Sequence, residues 1–159
     1  MNIDQLVATA HNIKGDPNNQ DTIEARNLFN QLNSSSESID MLLQGLQESP
    51  DLEFTSMVFK IVSNRICNFW HEIPIENRSG LRDFFFTQLS NEMIGHYFSN
   101  QRTDIIDSIS KSQAKIASAL YPAEFPELWN FALNFIDYHF YSFVMLFYKI
   151  VSIPGLDTY

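Results

Sequence analysis

Residues 104–129 read DIIDSISKSQAKIASALYPAEFPELW, and the rest of the chain is organised around them. Ile105, Ile106, Ile109, Ile116, Ala117 and Leu120 recur at three- and four-residue steps, with Gln113 the one polar interruption. That spacing places them on one face of a helix about 16 residues long. Tyr121-Pro122-Ala123-Glu124-Phe125-Pro126 cannot continue it. Each proline lacks a backbone donor and pushes the residue before it out of the helical region. Pro126 suits the first turn of a new helix, where its missing N–H would have no partner in any case. Glu127 then lies near the positive end of that helix dipole. The stretch predicts a helical hairpin with a stiff corner.

The remaining sequence repeats this grammar. Ile3, Leu6, Val7, Ala10 and Ile13 mark a first helix, ended by Gly15-Asp16-Pro17. Ile23, Leu28, Phe29 and Leu32 mark a second over about 19–31, and Ile39, Leu42, Leu43 and Leu46 a short third. Ser49-Pro50 opens a fourth, carried by Phe54, Met57, Val58, Ile61, Val62, Ile66 and Phe69 as far as Trp70, with Asp51 and Glu53 in its first turn. After the corner His71-Glu72-Ile73-Pro74, a helix runs on Leu81, Phe84, Phe85, Leu89 and Met93. Two of the three consecutive phenylalanines, Phe84 to Phe86, face its core side and one turns away. Residues 94–101 are expected to form a loop. Beyond the central hairpin, Asp137-Tyr138-His139 reads as a tight turn before a last helix over about 140–151, closed by Ile153-Pro154-Gly155.

No strand is needed, so the prediction is an all-α fold of about eight helices in antiparallel succession. With 159 residues, 45% of them hydrophobic, the chain has the length and composition of a single domain with a sizeable core. Five glycines and no regular turn dipeptides argue against a many-stranded β fold. The corners after Phe69-Trp70 and after Leu120-Tyr121 lie 51 residues apart, near the length of a helix-pair repeat. The net charge of -9 disfavours phosphate backbones and anionic lipid, so DNA binding is not expected, while a basic protein partner would suit it. The richest apolar run, Phe140 to Ile153, is too short and too interrupted to span a membrane. The N-terminal residues lack a basic region followed by an apolar run, so no secretory signal is read there. Cys67, the one cysteine, lies among apolar neighbours and reads as a core thiol in a reducing compartment.

Chemistry-bearing motifs are absent from the sequence. There is no glycine-rich phosphate loop, no paired-cysteine zinc spacing and no HExxH pattern. His11, His71, His96 and His139 are scattered, and Glu72 and Glu76 straddle Pro74. The expectation is a non-enzyme with no cofactor and no metal.

Lys111-Ser112-Gln113-Ala114-Lys115-Ile116-Ala117 followed by Tyr121-Pro122-Ala123-Glu124-Phe125-Pro126-Glu127-Leu128-Trp129 resembles the third helical repeat of the importin-β superfamily of nuclear transport receptors, in its exportin flavour. That pattern has a small-and-apolar helix, a Tyr-Pro or Trp-Pro pair, then Trp-Pro and a following helix; here Phe125 stands where tryptophan is usual. FKIVSNRICNFWHEIP, residues 59–74, is similar to the family's long helix ending in tryptophan before a proline corner, Asn77 to Arg82 to the start of the next helix, and LFYKIVSIP, residues 146–154, to a later repeat. The resemblance covers roughly residues 3–155.

It implies a right-handed superhelical array of antiparallel helix pairs, a HEAT/ARM-like α-solenoid of about three and a half repeats over residues 1–159. The inner helices would be about 36–47, 76–93 and 126–136. It also implies binding of the small GTPase Ran in its GTP form through those inner helices, shuttling between nucleus and cytoplasm, and protein or RNA cargo if the chain is part of a longer receptor. The candidate partner-binding residues on that basis are Glu37, Asp40, Gln44, Asp83 and Gln88. The alternative is a free-standing helical-repeat scaffold or adaptor for protein–protein interaction. That scaffold would use the aromatic last helix, apolar on most sides, to dock a partner or self-associate, whereas in a longer receptor further chain would cover it.

Overall fold

A computed structural model describes residues 2–35, 38–121 and 123–126. Among the described residues there are seven α-helices and no strand. The expected last helix, the expected helix over 126–136 beyond its first residue, and Glu37 lie outside them. Contacts divide the chain into two compact units, Met1–Arg65 and Ile66–Tyr159.

In the first unit, α1 (Ile3–Asn12) begins in a capping box. The Asn2 side chain accepts from the Gln5 N–H at 2.9 Å, and the Asn2 N–H donates to the Gln5 side chain. The Gly15-Asp16-Pro17 turn leads to α2 (Gln20–Ser34), capped by Asn19, whose side chain accepts from the Asp21 N–H at 2.8 Å. The fully buried side chains of α2 are Thr22, Ala25 and Leu32, two of them small, so α2 lies close on α1. Its larger residues, Leu28 and Phe29, stay half-buried at its flanks.

α3 (Ser38–Glu48) buries Ile39, Leu42 and Leu46 at helical spacing, and Ser38 Oγ donates back to the carbonyls of Leu32 and Ser35. Gly45 is the close-approach point of this unit. A Cβ there would lie 2.9 Å from both Ile3 Cδ1 and Phe54 Cζ. α4 (Leu52–Asn68) is capped by Asp51, whose carboxylate accepts from the Phe54 N–H at 2.8 Å. Phe54, Val58, Phe59, Ile61 and Val62 have no exposed surface, so this unit's part of α4 is buried on most of its sides. Two side-chain contacts fasten the end of α1 and the turn after it to the start of α4, a hydrogen bond between His11 Nε2 and Asp51 at 2.8 Å and an ion pair of Lys14 with Glu53 at 3.0 Å.

In the second unit, a 3-10 turn (Trp70–Glu72) makes the expected corner. Ile73 is buried in it, and Arg78 holds it closed by donating to the carbonyls of Ile73 and Trp70 while lying 5.3 Å over the Trp70 ring. Pro74 precedes α5 (Ile75–Asp83). Here the structure corrects the sequence reading. The helix expected to run to Met93 stops being α-helical at Phe84, and Phe84–Gln88 is a π turn. The Leu89 N–H donates to the Phe84 carbonyl at 2.9 Å, one residue further back than in an α-helix. In an α-helix Phe84, Phe85 and Phe86 would fan over about 200° and one would face out. The wider turn buries all three.

The expected loop over 94–101 is also corrected, because α6 (Asn91–Ser99) forms there. Ser90 caps it, accepting from the Met93 N–H, and Ile94 and Tyr97 bury its inner side. Burial pushes the Tyr97 hydroxyl up to about 12. The helix ends in a Schellman motif, with Gln101 N–H on the Phe98 carbonyl and Arg102 N–H on the Tyr97 carbonyl. Gln101 takes the left-handed conformation, φ 56°, that glycine usually supplies. The stop is therefore made without the residue that announces one.

α7 (Thr103–Leu120) is the central helix as expected, 18 residues long. Lys111 pairs with Asp107 one turn back at 2.8 Å, and the hydrogen bond and charge of that carboxylate raise the lysine above its ordinary range. Cys67 is only half-buried, and its thiol donates to the Lys111 carbonyl at 3.7 Å.

Candidate partner-binding surface

Gln113, which interrupts the apolar face of α7, is 1% exposed. Its side-chain amide donates to the Phe85 carbonyl at 2.9 Å. The π turn accounts for this bond. By turning to Phe84, the Leu89 N–H abandons the carbonyl an α-helix would give it, that of Phe85, and Gln113 supplies the missing donor. One of the three phenylalanines thus placed, Phe86, packs against the second corner. Phe86 meets Phe125 edge to face at a centroid distance of 4.6 Å, and Phe125 is buried immediately before Pro126. Arg82 Nη1 donates to the Glu124 carbonyl at 2.7 Å, tying α5 to the same corner.

Against this frame the described candidate residues Asp40, Gln44, Asp83 and Gln88 are all exposed. Asp40 and Gln44 are one helical turn apart, on the side of α3 opposite Ile39, Leu42 and Leu46. Half-exposed Met41 lies beside them, so this face offers a carboxylate, an amide and an apolar side chain together. Asp83 differs in character. Its Oδ1 accepts from Arg82 Nε and Nη2 at 3.1 and 3.0 Å, so it orients the same guanidinium that holds Glu124. Gln88 ends the π turn, on the exposed side of the Phe84–Phe86 cluster. Asp40 with Gln44 forms one patch in the first unit, and Asp83 and Gln88 lie in the second.

A second feature has no signature along the sequence. In the first unit, Ile13, Phe29 and Met57 floor a pocket of about 240 Å³. Lys14, Arg26 and Lys60 stand at its rim with one carboxylate, Glu53, which Lys14 already holds. These cations come from three separate elements, and their linear spacings of 12 and 34 residues match no pattern. The Arg26 Nε–H donates to the Ile13 carbonyl at 3.2 Å, which sets the guanidinium against the pocket. On the other side of α2 a groove of about 350 Å³ has the opposite character, with Asp21 and Glu24 on its wall.

Among the described residues no group of three or more His, Cys, Asp or Glu is placed to hold a metal ion, and no helix is long and apolar enough to cross a membrane. Compared with known proteins, the chain matches no protein-family model, no curated protein and no solved structure.

Proposed function

We propose that this chain is the N-terminal region of an exportin-like nuclear transport receptor, which binds Ran in its GTP form through the inner helices of a right-handed HEAT-type array. The observation that carries the reading is a repeated device. The 17-residue α4 and the 18-residue α7 each lead into a corner that buries one apolar residue directly before a proline, Ile73-Pro74 and Phe125-Pro126. Such a corner ends the long helix stiffly, as stacked repeats require. The second corner is also where the sequence is most similar to the receptor pattern.

On this reading α3 is an inner helix and its Asp40–Gln44 face contacts Ran. Protein or RNA cargo would be held by further repeats of a longer receptor. The test is binding of the folded chain to Ran loaded with GTP or with GDP at physiological salt. The expected result is selective binding to the GTP form, weakened about tenfold by Asp40→Lys, since a reversed interface charge sets like against like. Asp40 is the residue to reverse, because Asp83 also orients Arg82 within the fold. A monomeric, helical sample that ignores both forms would sink the proposal and leave the scaffold or adaptor reading in its place.

A further inference from the structure

We propose that the pocket floored by Ile13, Phe29 and Met57 is a docking site for an acidic peptide segment carrying one large apolar side chain. This inference does not rest on the Ran reading. The chain carries net charge -9 with only ten Lys and Arg, yet three of those ten ring this one pocket. Its single carboxylate is neutralised by Lys14 at 3.0 Å, so the rim is cationic on an acidic protein.

The volume decides the kind of ligand. About 240 Å³ falls below the span of about 300–1,000 Å³ typical of whole small-molecule sites. It suits one anchoring side chain, with the charges flanking that anchor left at the exposed rim. Lys14, Arg26 and Lys60 are all exposed, whereas Met57 is buried and Ile13 and Phe29 are half-buried. An apolar residue would enter between α2 and α4 while acidic neighbours on either side meet Arg26 and Lys60, Lys14 being paired with Glu53.

The experiment is fluorescence anisotropy of the full chain with a short fluorescein-labelled acidic peptide holding one central phenylalanine. Binding is expected at low salt and weakens as salt rises, because the rim charges are exposed. Replacing the peptide's phenylalanine by alanine should weaken binding about thirtyfold, the worth of one buried aromatic side chain. Lys60→Glu, at an exposed helix position, should weaken it about tenfold while leaving the circular dichroism spectrum unchanged. Equal affinity for the alanine peptide overturns the anchor, and unchanged affinity in Lys60→Glu overturns the site. Displacement of the peptide by a poly-uridine oligonucleotide of higher affinity would overturn the assignment to peptide.

Discussion

Replacing Gln113 by leucine isolates the bond between the central helix and the π turn. Leucine has nearly the same volume, so little cavity forms, and helix propensity barely changes. What is lost is the Gln113 amide that donates to the Phe85 carbonyl, at 2.9 Å and buried. Removing one partner of a buried hydrogen bond costs about 1–3 kcal/mol. For a chain of this size that lowers Tm by roughly 2–12 °C, at about 2–4 °C per kcal/mol. Gln113→Ala adds a cavity and should cost about 1–2 kcal/mol more. Gln113→Glu supplies a pH handle. A buried carboxylate facing a carbonyl has its folded-state pKa raised above the unfolded value. Its penalty is therefore full above the folded pKa and fades as pH falls through it, when the protonated acid again offers a donor. Urea denaturation followed by far-ultraviolet circular dichroism at several pH values reads all three variants. If Gln113→Leu were as stable as the parent, the π turn would not depend on this bond and the account of Phe84–Gln88 would be wrong.

Two other perturbations test separate parts of the fold. Asp51 caps α4 and pairs with His11. Burial alone would raise its pKa, but the hydrogen bond from His11, the Phe54 N–H, the His11 charge and the Glu53 N–H outweigh burial and lower it below 3.8. A depressed carboxylate contributes stability that is present above its unfolded value and is lost as pH falls through the folded one. Acid titration of the parent should therefore show a loss beginning near pH 4 that is reduced in Asp51→Asn, and an unchanged acid profile in that variant would refute the assignment. Gly45 and Gly80 form a matched pair. Gly45→Ala drives a methyl group into Ile3 and the fully buried Phe54 ring and should cost about 1–3 kcal/mol. Gly80→Ala in α5 meets no atom within 4 Å and should stabilise by about 0.5–1 kcal/mol, so thermal melts of opposite sign are expected.

The sequence by itself determined that the described chain is helical, where α1 to α4 and α7 lie, and where the proline and glycine corners fall between them. Those features rest on apolar periodicity, side-chain caps and proline, all of which act over a few residues. On α3 it also determined which face stays exposed, because the face of Asp40 and Gln44 lies opposite a regular apolar stripe; on α2 it did not, since Ile23 of the expected stripe is exposed while Thr22 and Ala25 are buried. Tertiary structure alone decided the π turn at Phe84–Gln88, since the wider hydrogen-bonded ring is rare and no local residue signal marks it. It is settled by burying Phe86 on Phe125 and by the distant Gln113 amide. Tertiary structure likewise decided α6, whose end needs a left-handed residue that the sequence supplies as Gln101, without the glycine signal. The cationic pocket was invisible for a related reason. Lys14, Arg26 and Lys60 become neighbours only when three helical elements close around one apolar floor, and no one-dimensional spacing encodes that meeting.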